Sequence, residues 1–368
     1  MSINHGETEM QKPISEYAKF MKGLLPADMP DAYSLKPRFE YVASEETIRK
    51  GVAAFRDFLY LFYDRVISDG HLYSKPQQTK NPADYPFLHN INHLLIDIGY
   101  HGKLVENSEI LMITEIPSFT KSKNRIPVSK QADCLRFLAL CGFRFTGIDL
   151  EAKTLVVSEK RPLAASYPDD PVMLTGLKAL SIADMELRAD RRYSNDDNLL
   201  RCDYSLLNTE EADILDVLRN YLHPLPEEIR SYALGLHKRY TDMGMVCAVN
   251  KRDGIRIAYS NLKKSQRVLS LRDVYDRRLW EFAASIRHGY CIVVRTKKTD
   301  KYADVIENFP LYLQEKIRQG YGCDRKLRNE RCQGGCQGIR IPLDDSILDI
   351  KHDIEILLDS EMPDFRSV

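Results

Sequence analysis

The sequence lacks long hydrophobic runs and an excess of charge of either sign. No stretch of the 368 residues reaches the roughly eighteen apolar residues of a membrane-spanning helix, and residues 1–12 are polar. We therefore expect neither a membrane span nor a secretory signal, and we predict a cytoplasmic protein. The 53 basic side chains balance the 53 acidic ones, so the whole chain has no net attraction for nucleic acid or a membrane surface.

The common catalytic and nucleotide-binding motifs are also missing. The sequence contains no Gly-x-x-x-x-Gly-Lys-Ser/Thr, no Gly-x-Ser-x-Gly and no Gly-x-Gly-x-x-Gly at a strand-to-helix junction. The glycine-rich run at residues 334–338 precedes a predicted strand, so no helix N-terminus assists phosphate binding there. Adjacent acids at residues 169–170, 196–197 and 344–345 fit turns and helix starts. We assign no catalytic residue and favour a non-catalytic protein.

The eight cysteines do not form a dense disulfide framework. Cys134, Cys141, Cys247 and Cys291 lie in apolar periodic segments, as expected for reduced thiols that pack as small hydrophobic side chains. This usage agrees with a reducing compartment.

A loop at residues 322–338 is the strongest candidate for chemistry, because it contains Cys323, Cys332 and Cys336. Three thiolates between flexible glycines could bind Zn²⁺. The spacing includes no Cys-x₂-Cys, so a fourth ligand would have to come from elsewhere, with Asp324, His352 and Cys291 as options. Nearby basic residues would lower a thiol pKa, which leaves a redox-active cysteine open. A structural loop with incidental thiols is the third interpretation.

Two histidines, His89 and His93, have the i, i+4 spacing that places both on one helix face. The apolar stripe of the same helix lies on the opposite side, so we expect these histidines to be solvated. The Glu of a His-Glu-x-x-His motif is absent, so a metalloprotease site is excluded.

The order helix, glycine, two strands occurs three times in the sequence. The predicted helices cover residues 88–98, 132–141 and 229–243, and their strand pairs cover 103–105 with 110–114, 143–148 with 154–158, and 245–249 with 255–259. Gly99, Gly142 and Gly244 stand where each helix would end in the left-handed conformation. Strands adjacent in sequence favour antiparallel pairing. The pattern predicts repeated helix–hairpin units.

Other elements complete the prediction. Ser44 is the N-cap of a long helix to residue 68, whose aromatic stripe is a core face. Asn208 and Glu211 form a capping-box pattern for a helix to residue 222. A hairpin is predicted over residues 280–295, and single helices over residues 301–318 and 346–358.

We predict an α+β fold in which amphipathic helices cover antiparallel sheets, in two or three modules. The predicted boundaries are residues 1–125 for an N-terminal arm with the first helix–hairpin module, 126–205 for the second module, and 206–368 for a C-terminal α+β domain. The sequence sets no oligomeric state.

The charges are unevenly distributed, and this bears on partners. Residues 263–331 contain seventeen Lys and Arg against nine acids, whereas residues 344–368 contain eight acids against two bases. Pairing of the two segments within the chain accounts for this pattern better than an external anionic partner does. Our first hypothesis is a binding or regulatory protein, with a small molecule or a protein partner held between modules or at the basic face of the C-terminal domain. The second is a metal- or thiol-dependent enzyme that uses the three loop cysteines.

A third hypothesis is a nucleic-acid-binding regulator with winged-helix-like modules. The predicted helix over residues 88–98 contains no Lys or Arg and that over 132–141 contains only Arg136, although Lys121, Lys123, Arg125 and Lys130 precede the second helix. The basic C-terminal segment also contains tyrosines that we expect to pack: Tyr290, Tyr302, Tyr312 and Tyr321.

Two stretches carry a family resemblance. One is residues 142–158 leading into Tyr-Pro-Asp-Asp-Pro-Val-Met-Leu-Thr-Gly-Leu-Lys at residues 167–178, and the other combines Gly-Tyr-Gly-Cys-Asp-Arg at 320–325 with Gly-Ile-Arg-Ile-Pro-Leu-Asp-Asp at 338–345. Together they resemble a group of proteins from anaerobic bacteria that has no assigned activity. The resemblance covers about the last two thirds of the chain. It implies a bacterial cytoplasmic protein and carries over no catalytic residue.

Overall fold

The computed structural model divides into two compact units, unit 1 at Met1–Ala212 and unit 2 at Asp213–Val368. Within them it describes residues 13–30, 32–72, 86–105, 110–113, 128–151, 156–157, 162–189, 199–209, 213–250, 255–261, 274, 277–286, 288–296, 299–319 and 338–362. No helix in these ranges is long and apolar enough to cross a membrane.

Unit 1 combines helices with short strands. Its helices are α1 (Ile14–Lys22), α2 (Glu45–Asp69), α3 (Pro86–His101), α4 (Val128–Leu140) and α5 (Met173–Ala189). Its strands are β1 (Gly102–Leu104), β2 (Ile110–Ile113), β3 (Arg144–Thr146), β4 (Ile148–Asp149), β5 (Val156–Val157) and β6 (Leu163–Ser166). Short 3₁₀ helices occur at Pro37–Phe39, Gly70–Leu72, Leu199–Arg201 and Tyr204–Leu206.

Helix α2 begins where the sequence predicts. The Ser44 hydroxyl accepts a hydrogen bond from the Thr47 N–H, which satisfies one of the free donors of the first turn. Its aromatic stripe is buried and packs edge-on against α4, with the Phe62 and Phe137 rings 5.7 Å apart. The stripe is therefore a core face, as predicted.

Helix α5 is buried on most sides and meets two helices at very close range. A Cβ atom added to Gly176 would lie 2.1 Å from the Gly51 carbonyl oxygen of α2. A Cβ added to Gly99 of α3 would lie 2.2 Å from the Ser181 hydroxyl of α5. The Lys178 ammonium of α5 donates to the carbonyl of Gly102, 2.6 Å away, just beyond the end of α3. Backbone proximity, which only glycine permits, joins these three helices.

This packing corrects one helix boundary. Gly99 does not end α3, which continues to His101, because its missing side chain is needed for contact with α5. Gly142 and Gly244 do follow their helices with φ of +101° and +86°, as predicted.

The four-stranded sheet of unit 1 has the order β1-β2-β6-β3 and is antiparallel throughout. The strand predicted over residues 143–148 is divided at Gly147, which has φ of +76°. As a result β3 pairs with β6, and only β4 pairs with β5. The predicted boundary between residues 125 and 126 falls between strands of this one sheet.

Unit 2 contains one five-stranded antiparallel sheet of order β11-β10-β9-β8-β7. Its strands are β7 (Val246–Asn250), β8 (Ile255–Ser260), β9 (Trp280–Ser285), β10 (Gly289–Val294) and β11 (Ile339–Pro342). Its helices are α6 (Ile214–Leu222), α7 (Glu227–Asp242), α8 (Ala303–Glu307), α9 (Leu311–Gln319), α10 (Ser346–Asp349) and α11 (Lys351–Glu361), with a 3₁₀ turn at Thr299–Lys301.

One face of this sheet forms the aromatic core of unit 2. Trp280 of β9 stacks on Tyr259 of β8 with ring centroids 3.8 Å apart, and Tyr240 of α7 meets Trp280 edge-on. Tyr221 of α6 packs against Phe282 on the same face. The alternation that predicts the hairpin at residues 280–295 therefore also defines which face is apolar.

Two helix predictions in unit 2 are wrong at their ends. The N-cap of α6 is Asp213, whose carboxylate accepts from the Leu215 N–H at 2.8 Å, whereas Asn208 forms an isolated β-bridge with Leu35 in unit 1. The helix predicted over residues 301–318 is divided into α8 and α9 at Pro310, which cannot donate a backbone hydrogen bond.

The observed architecture confirms the α+β class with antiparallel sheets. Each of the three predicted strand pairs contains an antiparallel pair of strands, although β3 and β4 divide the second one. The last predicted helix is divided into α10 and α11.

Candidate functional site

The cysteine loop at residues 322–338 lies outside the described residues, except for Gly338, so the positions of Cys323, Cys332 and Cys336 are not described. Of the proposed fourth ligands, His352 is exposed on α11 and Cys291 is buried on β10. Across the described ranges, no three His, Cys, Asp or Glu side chains are grouped in a way that could hold a metal ion. Zinc at the loop stays a prediction.

The described cysteines behave as small hydrophobic side chains. Cys134, Cys141, Cys202 and Cys291 are buried and Cys247 is half-buried, all as free thiols. Burial raises the pKa of Cys134, Cys141 and Cys247 to about 12, and it raises the pKa of Cys202 further. These thiols are protonated at neutral pH, as expected for side chains that serve as packing groups.

The other polar candidates are dispersed. His89 and His93 are half-buried on α3, which corrects the prediction that they are solvated. Asp344 accepts hydrogen bonds from the backbone and hydroxyl of Ser346 at the start of α10, which agrees with a helix-start role for this acid. Lys130 lies 3.9 Å from Asp133 on α4. Lys121, Lys123 and Arg125 lie outside the described residues.

The tyrosines of the basic segment serve mainly as packing groups. Tyr290 packs on Tyr221 with ring centroids 5.1 Å apart, and the buried Tyr302 hydroxyl donates to Glu361. Tyr312 is exposed beneath the ammonium of Lys316. Two of these three rings are therefore not free to stack on nucleic-acid bases.

Unit 1 contains a shallow depression of about 320 Å³. It is lined by Ala32, Tyr33, Ser34, Arg49 and Asn208. The Arg49 guanidinium donates to the Tyr33 carbonyl at 2.8 Å and lies 3.3 Å from Glu45, so its charge is already engaged inside the unit. This depression therefore offers little charge to a ligand.

Unit 2 offers a stronger candidate on the sheet face opposite the aromatic core. Glu281 of β9 stands directly across from Val293 of β10, which in turn stands across from Arg340 of β11. Arg256 of β8 stands across from Ala283, two residues beyond Glu281 on the same face. Side chains of directly paired residues share a face, so the antiparallel register brings these charges together from separate strands.

The centre of this arrangement is a buried carboxylate. Glu281 is only 2% exposed, and its Oε2 lies 2.9 Å from the Arg278 Nε. Its Oε1 lies 3.8 Å from the Arg256 guanidinium. A carboxylate removed from water needs cationic partners, so Glu281 fixes the positions of at least these two arginines.

A thiol adjoins the same charges. Burial raises the pKa of Cys291 to about 11, while the Arg340 guanidinium beside it has the opposite effect. The Glu281 carboxylate raises the Cys291 pKa, as burial does, whereas the Arg256 guanidinium lowers it, as Arg340 does. Ala283, Cys291 and Val293 form a small apolar cluster on this face, and Arg256 and Arg340 stand across from Ala283 and Val293 in the sheet register.

We call Arg256, Arg278, Glu281, Cys291 and Arg340 the arginine cluster. It carries three guanidinium groups and one carboxylate, together with a protonated thiol. Guanidinium groups bind carboxylates and phosphates through paired N–H donors, so the cluster is suited to bind an anion. It contains no group that is activated to attack a substrate.

Sequence reasoning identified the basic C-terminal segment and named Cys291, but it missed Arg256, Arg278, Glu281 and Arg340. The available signal was the alternation in β9, where acidic Glu281 lies between apolar Trp280 and Phe282. Comparison of the chain with protein-family models, with curated proteins and with solved structures finds no match.

Proposed function

We propose that this chain is a non-catalytic binding protein whose ligand is a small anionic molecule held at the arginine cluster of unit 2. The convergence of Arg256, Arg278 and Arg340 on one face of the sheet supports this proposal. We place the protein in the bacterial cytoplasm, in line with the resemblance noted for its sequence.

Two further features support binding rather than chemistry. The Cys291 thiol in the cluster is protonated at neutral pH, so it is not a nucleophile. Arginine also remains charged at any physiological pH and does not transfer protons. The side chains that converge here recognise charge and shape, which is the task of a binding site.

The test is calorimetric titration of the full chain with a panel of anions: acetate, succinate, sulfate and inorganic phosphate. We expect at least one to bind, and we expect Arg256→Ala and Arg340→Ala each to weaken that binding about tenfold to a hundredfold, as for loss of a charged hydrogen bond. Arg219→Ala is the matched control, because Arg219 is an exposed cation on α6 paired with Asp216.

Folding of each variant is checked by the fluorescence of Trp280, the single tryptophan, which lies in the core of unit 2. If an alanine variant unfolds, Arg340→Lys and Arg256→Lys replace it, because lysine keeps the charge but loses the fork of donors. Absence of binding by every anion, or equal binding by the cluster variants and the Arg219→Ala control, would refute the proposal.

A further inference from the structure

The aromatic core of unit 2, on the sheet face opposite the arginine cluster, contains a pair of side chains that can be oxidised. Tyr259 of β8 and Trp280 of β9 stack with ring centroids 3.8 Å apart and ring planes within 4° of parallel. Tyr259 is 0% exposed and Trp280 is 1% exposed. Phenol and indole lose single electrons more readily than most side chains, and rings in direct contact exchange an electron rapidly. The stack can therefore share one oxidising equivalent away from water.

The Tyr259 hydroxyl is in hydrogen-bond contact with a base. Its oxygen lies 2.8 Å from Nδ1 of His237 on α7. A phenol is a stronger acid than the N–H of a neutral imidazole, so the hydroxyl donates and Nδ1 accepts. Burial lowers the pKa of His237 below 6.5, so the imidazole is neutral at neutral pH and can accept a proton.

The burial of Tyr259 makes this base necessary for oxidation. Burial raises the pKa of Tyr259 well above 10, so the phenolate is not present to be oxidised. Removal of an electron from the neutral phenol leaves a positive charge in an apolar core, which is costly unless a proton leaves the ring. Transfer of that proton to His237 places the charge on a half-buried side chain, which is partly in contact with solvent.

A second tyrosine contacts the same tryptophan and provides a comparison. Tyr240 of α7 meets Trp280 edge-on, with ring centroids 5.4 Å apart. Its hydroxyl donates to Asp359 at 2.9 Å, and the Arg239 guanidinium donates to the same carboxylate at 2.6 Å. An unperturbed carboxylate is a weaker base than an unperturbed imidazole. Of the two tyrosines, Tyr259 therefore has both the closer contact with the indole and the more basic type of acceptor.

We propose that Tyr259 is a redox-active tyrosine that is oxidised through Trp280, with His237 as its proton acceptor. The oxidant is a radical of the peroxyl class, which takes one electron from Trp280 and becomes a hydroperoxide after protonation by water. Trp280 regains an electron from Tyr259, the Tyr259 O–H bond breaks, and the proton binds Nδ1 of His237. The products are a neutral phenoxyl radical and an imidazolium. One electron from a reductant such as ascorbate, with return of the proton, restores the starting state.

The first experiment is laser flash photolysis of the full chain, with an ultraviolet pulse that tryptophan absorbs and tyrosine does not. Trp280 is the single tryptophan, so the pulse forms the first radical there. Transient absorption follows the decay of the indole radical and the growth of the phenoxyl radical. In the wild-type protein we expect the two to occur together, and to be slower in deuterium oxide because a proton moves in the same step.

Three variants assign the roles. Tyr259→Phe removes only the hydroxyl and should abolish most of the phenoxyl signal, whereas Tyr240→Phe, the matched control, should retain it. His237→Gln keeps a hydrogen-bonding group but no basic nitrogen, so phenoxyl growth should slow about a hundredfold, as for loss of a positioned base. Far-UV circular dichroism checks the fold of each variant. If His237→Gln unfolds, the effect of deuterium oxide and the comparison of Tyr259→Phe with Tyr240→Phe decide the outcome.

The second experiment tests the oxidant with peroxyl radicals from a thermally decomposing azo initiator. Tyr259→Phe should lose Trp280 fluorescence faster than wild type, since its indole radical is no longer repaired, and Tyr240→Phe should match wild type. Equal loss in Tyr259→Phe and wild type would overturn the peroxyl assignment. A full phenoxyl signal in Tyr259→Phe, or unchanged growth in a folded His237→Gln protein, would overturn the proposal itself. Neither result bears on anion binding.

Discussion

The close crossing of α2 and α5 gives the most demanding test of the fold. The change is Gly176→Ala, which places a Cβ atom 2.1 Å from the Gly51 carbonyl oxygen and 2.5 Å from the Val52 nitrogen. Ordinary contact begins near 3.4 Å, so the two helices must separate by about 1.3 Å at this point. The obstructing atoms belong to the backbone and cannot move by side-chain rotation.

The expected cost follows from this displacement. Overpacking of a core costs about 1–3 kcal/mol, and we take the upper end because a gap of this size loses a large part of each neighbouring contact. The higher helix propensity of alanine offsets about 1 kcal/mol of this loss in unfolding free energy. The net loss of about 2 kcal/mol should lower the urea midpoint by about 1 M, for a slope of about 2 kcal/mol per molar.

The assay is urea unfolding followed by far-UV circular dichroism. Gly235→Ala on α7 is the control, because a Cβ there meets nothing within 4 Å, so this variant should be stabilised by about 0.5–1 kcal/mol. Gly51→Ala widens the same crossing, so the double variant with Gly176→Ala should cost less than the sum of the single variants. A Gly176→Ala protein as stable as wild type would refute this reasoning.

Four further predictions concern single groups. The buried Tyr33 hydroxyl has no hydrogen-bond partner among the described residues, whereas the Tyr63 hydroxyl donates to a backbone carbonyl at 2.7 Å. Tyr33→Phe should therefore not destabilise the protein, whereas Tyr63→Phe should cost about 1 kcal/mol in urea unfolding. Of the eight cysteines, the five described thiols should react with a disulfide reagent only on unfolding, so at most three react in the native protein. Stoichiometric zinc in the purified protein, lost in Cys332→Ser and Cys336→Ser, would show that the cysteine loop binds metal, and its absence would remove that hypothesis. Burial lowers the pKa of Lys178 below 10.5 in the folded chain, so the unfolded chain binds more protons in the interval between the two values. The unfolding free energy of wild type relative to Lys178→Met should therefore rise as the pH approaches 10.5 from below.

Local sequence signals predicted those features that depend on a few neighbouring residues. The Ser44 cap, the left-handed Gly142 and Gly244, and the hairpin at residues 280–295 each need only their own turn or strand. The wrong predictions concern residues whose conformation depends on a contact with a residue far away in the sequence. Gly99 remains inside α3 because α5 packs so closely against it that a side chain at this position would collide with Ser181. Asn208 pairs with Leu35, a residue 173 positions earlier in the chain, instead of capping a helix.

The arginine cluster also depends on long-range pairing, which local sequence signals do not predict. Arg256 and Arg340 share one face of the same sheet only because β11 adds beside β10, an order that no local pattern contains. The basic character of residues 263–331 pointed to the right unit, although Arg256 and Arg340 both lie outside that segment.

The burial of Glu281 is the property that makes this site more than a charged surface. Alternation in β9 predicts a polar face for Glu281, and a polar strand face is usually solvated. Here the carboxylate is 2% exposed, so it is stable as a charge only with cationic partners in place. Arg278 and Arg256 are these partners, with their guanidinium nitrogens 2.9 Å and 3.8 Å from the Glu281 carboxylate oxygens. Glu281 therefore acts as a buried counter-ion for Arg278 and Arg256 on this face of the sheet.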